Sequence, residues 1–251
     1  MFPDEEKRNH CAETACIQSY RSFNIHMIGT SGGLLMEKKT KAQSVETPQL
    51  DPGQRVTLAG ARIESGVSVE SALARRRSVR EYSSLPLTLA EVGQLVWAAQ
   101  GVTGSGGLRT APSAGAIYPL RLYVLAGAVE GLQAGIFGYD PDANELEVLS
   151  RGDKRQKLFE ATCEQVCSAE CAMAVLLAGW FTRATREFGP MAQSLALIEA
   201  GHAAQNLLLQ ATALGLGAMG LGKFDREAVA RVFHLPASQQ PLYLLLAGHP
   251  V

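Results

Sequence analysis

No stretch of this 251-residue chain is apolar over the roughly 20 residues that a membrane-crossing helix needs, so no bilayer span is expected. A bias toward one charge is missing too. The 23 Lys and Arg against 24 Asp and Glu leave a net charge of −1, with no field to draw in nucleic acid or an acidic membrane surface. Residues 1–30 contain Cys, Asn, His and acidic groups where a signal peptide would need a continuous apolar stretch, and the chain is read as cytoplasmic. Cysteine is scarce: five in a chain of this size do not suggest a disulfide framework. Cys163, Cys167 and Cys171 stand four apart, which would put the first two on one helix face. No His or further Cys stands nearby to complete four ligands, and the spacing lacks the tighter C-x2-C pair of most zinc and iron–sulfur sites. No metal is expected, and these thiols are read as packing groups.

What is present is ample core material, 47% hydrophobic residues, enough for one large domain or two small ones. Residues 1–60 mix Lys, Glu, Thr, Gln and Gly without a sustained period, and Pro48, Pro52 and Gly53 punctuate the end. They are read as an extended or partly disordered arm leading into a domain over 61–251, with Met36 as an alternative start. Ser68 can cap a short helix carrying Val69, Ala72 and Leu73. Thr88 to Glu91 form a capping box, and Leu89, Val92, Leu95, Val96 and Ala99 follow at helical spacing until Gly101. Residues 102–107 read as a Gly-rich loop and 121–126 as a strand. Residues 136–139 and 145–149 read as a hairpin about Asp140 to Asn144, 154–166 as a helix and 173–181 as a buried strand. A helix over about 190–214 is apolar nearly all round, so it is expected to be central or to lie between subunits, with Ala204 and Leu208 in the interface. Asp225 caps another helix, and 242–247 close the chain as a strand. Helices and strands mix without strict alternation, which favours an α+β fold.

The densest chemistry lies at Arg75, Arg76, Arg77, Ser78 and Arg80. Guanidinium forks match phosphate oxygens two at a time, and a hydroxyl can complete the cradle. The same run also suits a solvated helix end. Gly215 to Gly220 match the G-x-G-x-x-G pattern, but they follow a helix where a dinucleotide site needs a strand, and no carboxylate stands about twenty residues on. Gly29 to Gly33 match a nucleophile elbow, with Phe23 to Ile28 as the strand before it and Asp225 and His249 in triad order. Such an elbow belongs on an interior strand of a large sheet, and only an irregular arm precedes this one.

The stretch Ala111 to Pro119 (APSAGAIYP) resembles a loop of the FMN-dependent nitroreductase superfamily, in its SagB-type (ThcOx-like) dehydrogenase branch. Glu199 to Leu207, Ala213 to Gly217 and the closing Pro241 to Pro250 resemble the same branch, in unbroken order from about Val67 onward. The resemblance implies an α+β nitroreductase-like fold, a central antiparallel-rich sheet flanked by helices, working as a homodimer with FMN at the subunit interface. It implies that Arg76, Arg77, Ser78 and Arg80 hold the FMN phosphate and ribityl chain, and that Pro112, Ser113, Ala114 and Gly115 contact the flavin from the other subunit. Gly220, Leu221 and Gly222 would lie along the isoalloxazine ring, with a backbone N–H aimed at N5. Small residues at 113–115 and 217–222 would let backbone approach that ring. His202 is read as a packed or interface histidine rather than a catalytic one.

Members of the branch that oxidise azolines in peptides carry a Lys-Tyr pair before the central helix, where this chain has Glu187 and Phe188. Phe cannot move a proton and the ammonium is absent. His249 stands where relatives often have Arg. The expected activity is therefore ping-pong transfer from NAD(P)H through FMN to a small-molecule electrophile, nitroaromatic or quinone-like. The alternatives are a peptide-tailoring dehydrogenase acting with peptide-modifying partner proteins, and a non-catalytic flavoprotein subunit.

Overall fold

A computed structural model describes residues 49–251. The Gly29 to Gly33 motif, Met36 and the arm as far as residue 48 lie outside the described residues. The chain forms β1 (Arg55–Thr57), α1 (Val69–Arg75), α2 (Leu89–Gln100), β2 (Val102–Gly104), β3 (Leu108–Arg109), β4 (Leu120–Ala126), β5 (Gly135–Asp140) and β6 (Glu145–Arg151). It continues through α3 (Arg155–Ala161), α4 (Val166–Glu170), β7 (Met173–Trp180), α5 (Phe181–Phe188), α6 (Ala192–Ala213), β8 (Gly217–Leu221), α7 (Arg226–Val232) and β9 (Gln239–Gly248). Seven strands form one sheet in the order β1-β6-β5-β4-β7-β9-β8, every neighbouring pair antiparallel. The fold is α+β, a large antiparallel sheet flanked by helices.

Strand β7 shows how the layers arise. Its sequence is an unbroken apolar run because both of its faces are covered. Met173, Val175 and Leu177 point to the core shared with α2 and α6, while Ala174, Leu176 and Ala178 point to a second core shared with α3, α4 and α7. Helix α2 starts at the capping box expected at Thr88 and Glu91 and stops at Gly101. On α6, Ala196, Ala200, Ala203, Ala204 and Leu207 face the chain's own core. Ala204 is only 2% exposed, so it packs inside one chain rather than between two. The apolar groups that α6 turns outward are Leu197 and Ile198, and His202 is exposed beside them.

Four local readings change. Residues 154–166 are not one helix: Thr162 closes α3 by donating to the Leu158 and Phe159 carbonyls, and Cys163 and Glu164 adopt left-handed backbone with φ of 54° and 58°. Cys163 and Cys167 therefore share no helix face. Cys163 is exposed, whereas Cys167 and Cys171 are buried, and burial pushes the Cys171 thiol up to about 12. Residues 102–109 form the small hairpin β2–β3 in place of a loop. Gly217–Leu221 form a strand despite three poor strand formers, because β9 pairs along their whole length. Finally, β1, at the end of the stretch read as an arm, pairs with β6, and Leu58 beside it is buried at 4% exposure, so the folded domain takes in these residues.

Candidate active site

Ser68 caps α1 by accepting from the Ser71 N–H at 3.2 Å, and the helix ends at Arg76. The chain then runs alongside β8: the Val79 N–H donates to the Ala218 carbonyl at 3.1 Å, and Ser78 and Ala218 form a parallel bridge. Ala218 thus turns its backbone groups away from β9. Strand alternation directs those of Gly220 to the same outer edge, and the parallel register brings Arg80 beside them. The expected phosphate cluster and the expected ring-contacting strand are therefore neighbours.

The cationic side chains are not equivalent. Arg77 donates to the Ala74 and Arg76 carbonyls at 3.0 and 2.8 Å, so part of its fork is spent on its own backbone. Arg80 makes one long contact, 3.4 Å to the Ser78 carbonyl. Among the described residues, none of Arg76, Arg77 and Arg80 has a carboxylate within 4.0 Å. His249 lies 4.0 Å from Glu91.

The glycines opposite this cluster have internal reasons to be glycine. A Cβ at Gly217 would come within 2.6 Å of Val79, and one at Gly220 would run into the Tyr243 hydroxyl. The room these positions leave is filled by the chain's own side chains. Only Gly222 is open, with Tyr243 at ordinary contact distance, 3.8 Å.

The Pro112–Gly115 loop sits elsewhere. Gly115, Ala116 and Tyr118 all adopt left-handed backbone, with φ of 57°, 51° and 51°, a costly arrangement for the two non-glycines. It is held by a polar network. The Tyr118 N–H donates to Ser113 Oγ at 2.9 Å, and the Arg109 N–H to the Tyr118 hydroxyl at 3.2 Å. Arg109 Nη1 donates to Gln100 Oε1 at 3.1 Å, and Gln100 Nε2 to Glu199 Oε1 at 3.2 Å. Gln100 and Glu199 are 0% and 2% exposed. Burial pushes the Glu199 carboxyl upward, opposed by hydrogen bonds from Ser113 and Gln100 and by the charge of Arg109. Phe188 lies 3.2 Å from where a Gly115 Cβ would stand.

The two halves meet α6 at different levels, with Thr110, just before the loop, between them: its carbonyl accepts from Asn206 Nδ2 at 3.2 Å, and it lines the same cavity as α1. The loop is tied to Glu199, whereas α1 lies across Asn206, Gln210 and Ala213, with which it lines a cavity of about 280 Å3. At about 1.5 Å per residue, Glu199 and Ala213 are roughly 20 Å apart along α6. Sequence reading picked out neither the Glu199–Gln100–Arg109 network nor Tyr243. The one available signal is a lone carboxylate in a helix with no other Asp, Glu, Lys or Arg. Among the described residues no three His, Cys, Asp or Glu side chains gather as a metal site, and no helix is long and apolar enough to cross a membrane.

Residues 73–249 match the nitroreductase family. A Methanocaldococcus jannaschii protein named for that family is 36% identical over 185 residues, covering 74% of this chain and 92% of its own length. A Ralstonia eutropha structure so named is 28% identical with a TM-score of 0.70, covering 82% of this chain and 97% of that one. An Anabaena variabilis structure, also so named, is 25% identical with a TM-score of 0.71 over 79% of this chain, but this chain spans only 42% of its length. Two more distant structures share the fold alone. They are the E. coli microcin synthetase McbBCD complex with truncated pro-MccB17 (21% identity, TM-score 0.63) and the NADPH:FMN oxidoreductase of Vibrio harveyi complexed with NAD+ (17%, 0.53). With the family matched across most of the folded domain and the sheet shared with its solved members, this chain belongs to the nitroreductase family of oxidoreductases.

Proposed function

We propose that the chain is an FMN-dependent oxidoreductase that takes electrons from NAD(P)H and delivers them to a nitroaromatic or quinone-like acceptor. The observation that carries this reading is the docking of the arginine run onto the outer edge of β8, where Ser78 bridges Ala218 and the Val79 N–H donates to the Ala218 carbonyl. Guanidinium groups that have no carboxylate within 4.0 Å among the described residues, next to a strand edge, suit a ligand with an anionic end and a polar, planar end. Arg76 and Arg80 would hold the phosphate, with Ser78 completing the cradle and Arg77 contributing less because of its carbonyl contacts. Gly220, Leu221 and Gly222 would face the ring edge. When bound, the flavin supplies the electron-accepting and electron-donating ring, which the donor and the acceptor use in turn.

The anchoring of the Pro112–Gly115 loop at Glu199, one end of α6, with α1 at the other end, fits a homodimer in which each site takes its loop from the second copy. The motifs at 111–119 and 199–207 support the SagB-type branch. In the peptide-tailoring activity of that branch the Lys-Tyr pair has no counterpart here, which favours small-molecule acceptors. The test is purification followed by absorbance spectroscopy and NADH or NADPH oxidation with and without an added quinone or nitroaromatic. Stoichiometric FMN with acceptor-dependent turnover is expected. A colourless protein that takes up no FMN overturns the reading, and bound FMN without turnover by the protein alone would favour the partner-dependent alternative.

A further inference from the structure

Beside the strained loop lies a cavity of about 440 Å3, walled by Ala116, Tyr118, Arg109, Arg121, Asp142 and Trp180. A second, of about 380 Å3, shares Arg109, Arg121 and Asp142 and continues over β4 to β6. Each arginine lies over an aromatic ring, Arg109 on Tyr118 at 4.7 Å and Arg121 on Trp180 at 4.9 Å. Stacking occupies the flat face of a guanidinium and leaves its N–H edge for other partners. Arg109 has used only Nη1, on Gln100, and its Nε is buried without a hydrogen-bond partner. Among the described residues, neither arginine has a carboxylate within 4.0 Å.

The remaining charges at these cavities leave the pair under-neutralised. Asp140 and Glu147 line the second cavity but are engaged by Arg55, at 3.1 and 3.6 Å. Asp142 is exposed at the rim, so one unengaged carboxylate faces two cations. Burial lowers the affinity of Arg109 for its proton; the Asp142 charge opposes this, the neighbouring Arg121 charge adds to it, and Glu199 opposes it more weakly. Two like charges held at one cavity with unfilled donors are relieved by an anion.

We propose that Arg109 and Arg121 form an anion-recognition subsite that takes a phosphate or carboxylate group of a ligand. Tyr118 and Ala116 line it and continue directly from the Pro112–Gly115 loop. Resting on the oxidoreductase reading, the anion is then the remote charged group of a reaction partner: a phosphate of the reduced dinucleotide or a carboxylate on the acceptor. Arg121 and Arg109 confer specificity there and touch no reacting atom.

The test titrates inorganic pyrophosphate into the full-length protein as purified, at low ionic strength, by calorimetry. Arg121→Gln and Asp142→Asn are compared with wild type, since both side chains reach solvent, whereas replacing Arg109 would disturb the buried network. Binding at the Arg76–Arg80 cluster is common to all three proteins and drops out. The subsite predicts at least tenfold weaker binding in Arg121→Gln and severalfold tighter binding in Asp142→Asn. Equal affinities in the three proteins, or no binding to wild type, overturn it. Kinetics then separate the two sources. In Arg121→Gln a raised KM for both NADPH and NADH assigns the dinucleotide pyrophosphate, a raised KM for NADPH alone assigns its 2′-phosphate, and a raised KM for 4-nitrobenzoate but not 4-nitrobenzamide assigns the acceptor. Unchanged KM values in all four assays refute a role in the reaction. A protein without reductase activity would sink the functional reading and leave the calorimetric result standing.

Discussion

Gly220 offers a decisive perturbation because two explanations for it predict different rescue behaviour. It is extended, so alanine brings no backbone strain, and the whole cost of Gly220→Ala comes from what its Cβ meets. That carbon would stand 2.6 Å from Tyr243 Cζ and 3.3 Å from Cε1, closer still to the hydroxyl, against 3.4–4 Å for ordinary contact. The Tyr243 ring would have to move by about an ångström, an overpacking cost of about 1–3 kcal/mol. In a Tyr243→Ala background the space is free. There the same substitution should stabilise by about 0.4–1 kcal/mol by restricting the unfolded chain. The coupling between the two positions is then about 1.4–4 kcal/mol, read from a four-protein cycle of urea unfolding. With a slope of about 2 kcal/mol/M, Gly220→Ala alone should lower the midpoint by about 0.5–1.5 M. Equal effects in both backgrounds would refute the steric reasoning. Flavin content of the same four proteins distinguishes the second explanation: if Gly220 is small to admit the ring, Gly220→Ala loses flavin in both backgrounds.

Arg76→Ala with Arg80→Ala removes two charge-assisted phosphate contacts of about 1.5–3 kcal/mol each. Flavin affinity should fall by several orders of magnitude, and stoichiometric FMN in the double variant would place the phosphate elsewhere. Ala204→Arg buries an unpaired charge in the chain's own core and should cost more than about 3 kcal/mol. Ile198→Arg, at a position 56% exposed, should leave the fold intact and, in the proposed dimer, yield a colourless monomer on size-exclusion chromatography; a yellow monomer would refute the shared site. Because burial raises the Glu199 carboxyl, its contribution to stability is fully present below the unfolded pKa and is lost as pH rises through the folded value. The stability of Glu199→Gln relative to wild type should therefore improve as pH rises above the ordinary carboxylate range, and a constant difference in unfolding midpoint would contradict this. Removing residues 1–45, whose composition offers little apolar surface to bury, should leave flavin content and reductase rate unchanged.

The elements legible in the sequence are those whose signals are local. The capping box at Thr88, the apolar run of β7 and the turn from Asp140 to Asn144 each carry their structural cause within a few residues. The break after α3 does not: no Gly or Pro marks it, and Cys163 and Glu164 take left-handed conformations that neither favours. Strand β8 was hidden for another reason. Its glycines argue against a strand, and only pairing to β9, with Tyr243 and Val79 occupying the glycine positions, makes one. At the site, the arginine run was legible as chemistry, but its docking onto β8 spans most of the domain's length. The Gln100–Glu199 bond joins residues 99 apart and leaves no periodicity to read.

Helix α6 connects these observations. One end anchors the 113–118 loop through Glu199, and the other supports α1 and the chain leading to the arginines. Between the two ends the helix is buried along its alanine face, and Gln100 donates to Glu199 there. A closed two-fold contact uses the same patch on both copies. Leu197 and Ile198 lie on the outward face of α6 near the loop end. If that face meets its own copy antiparallel, the loop of one chain approaches the arginine end of the other. Closure of the proposed site and burial of the exposed leucine and isoleucine would then be the same event. In that arrangement one helix would carry both the exposed Leu197–Ile198 pair and the polar network that fixes the loop, and flavin retention would depend on the oligomeric state.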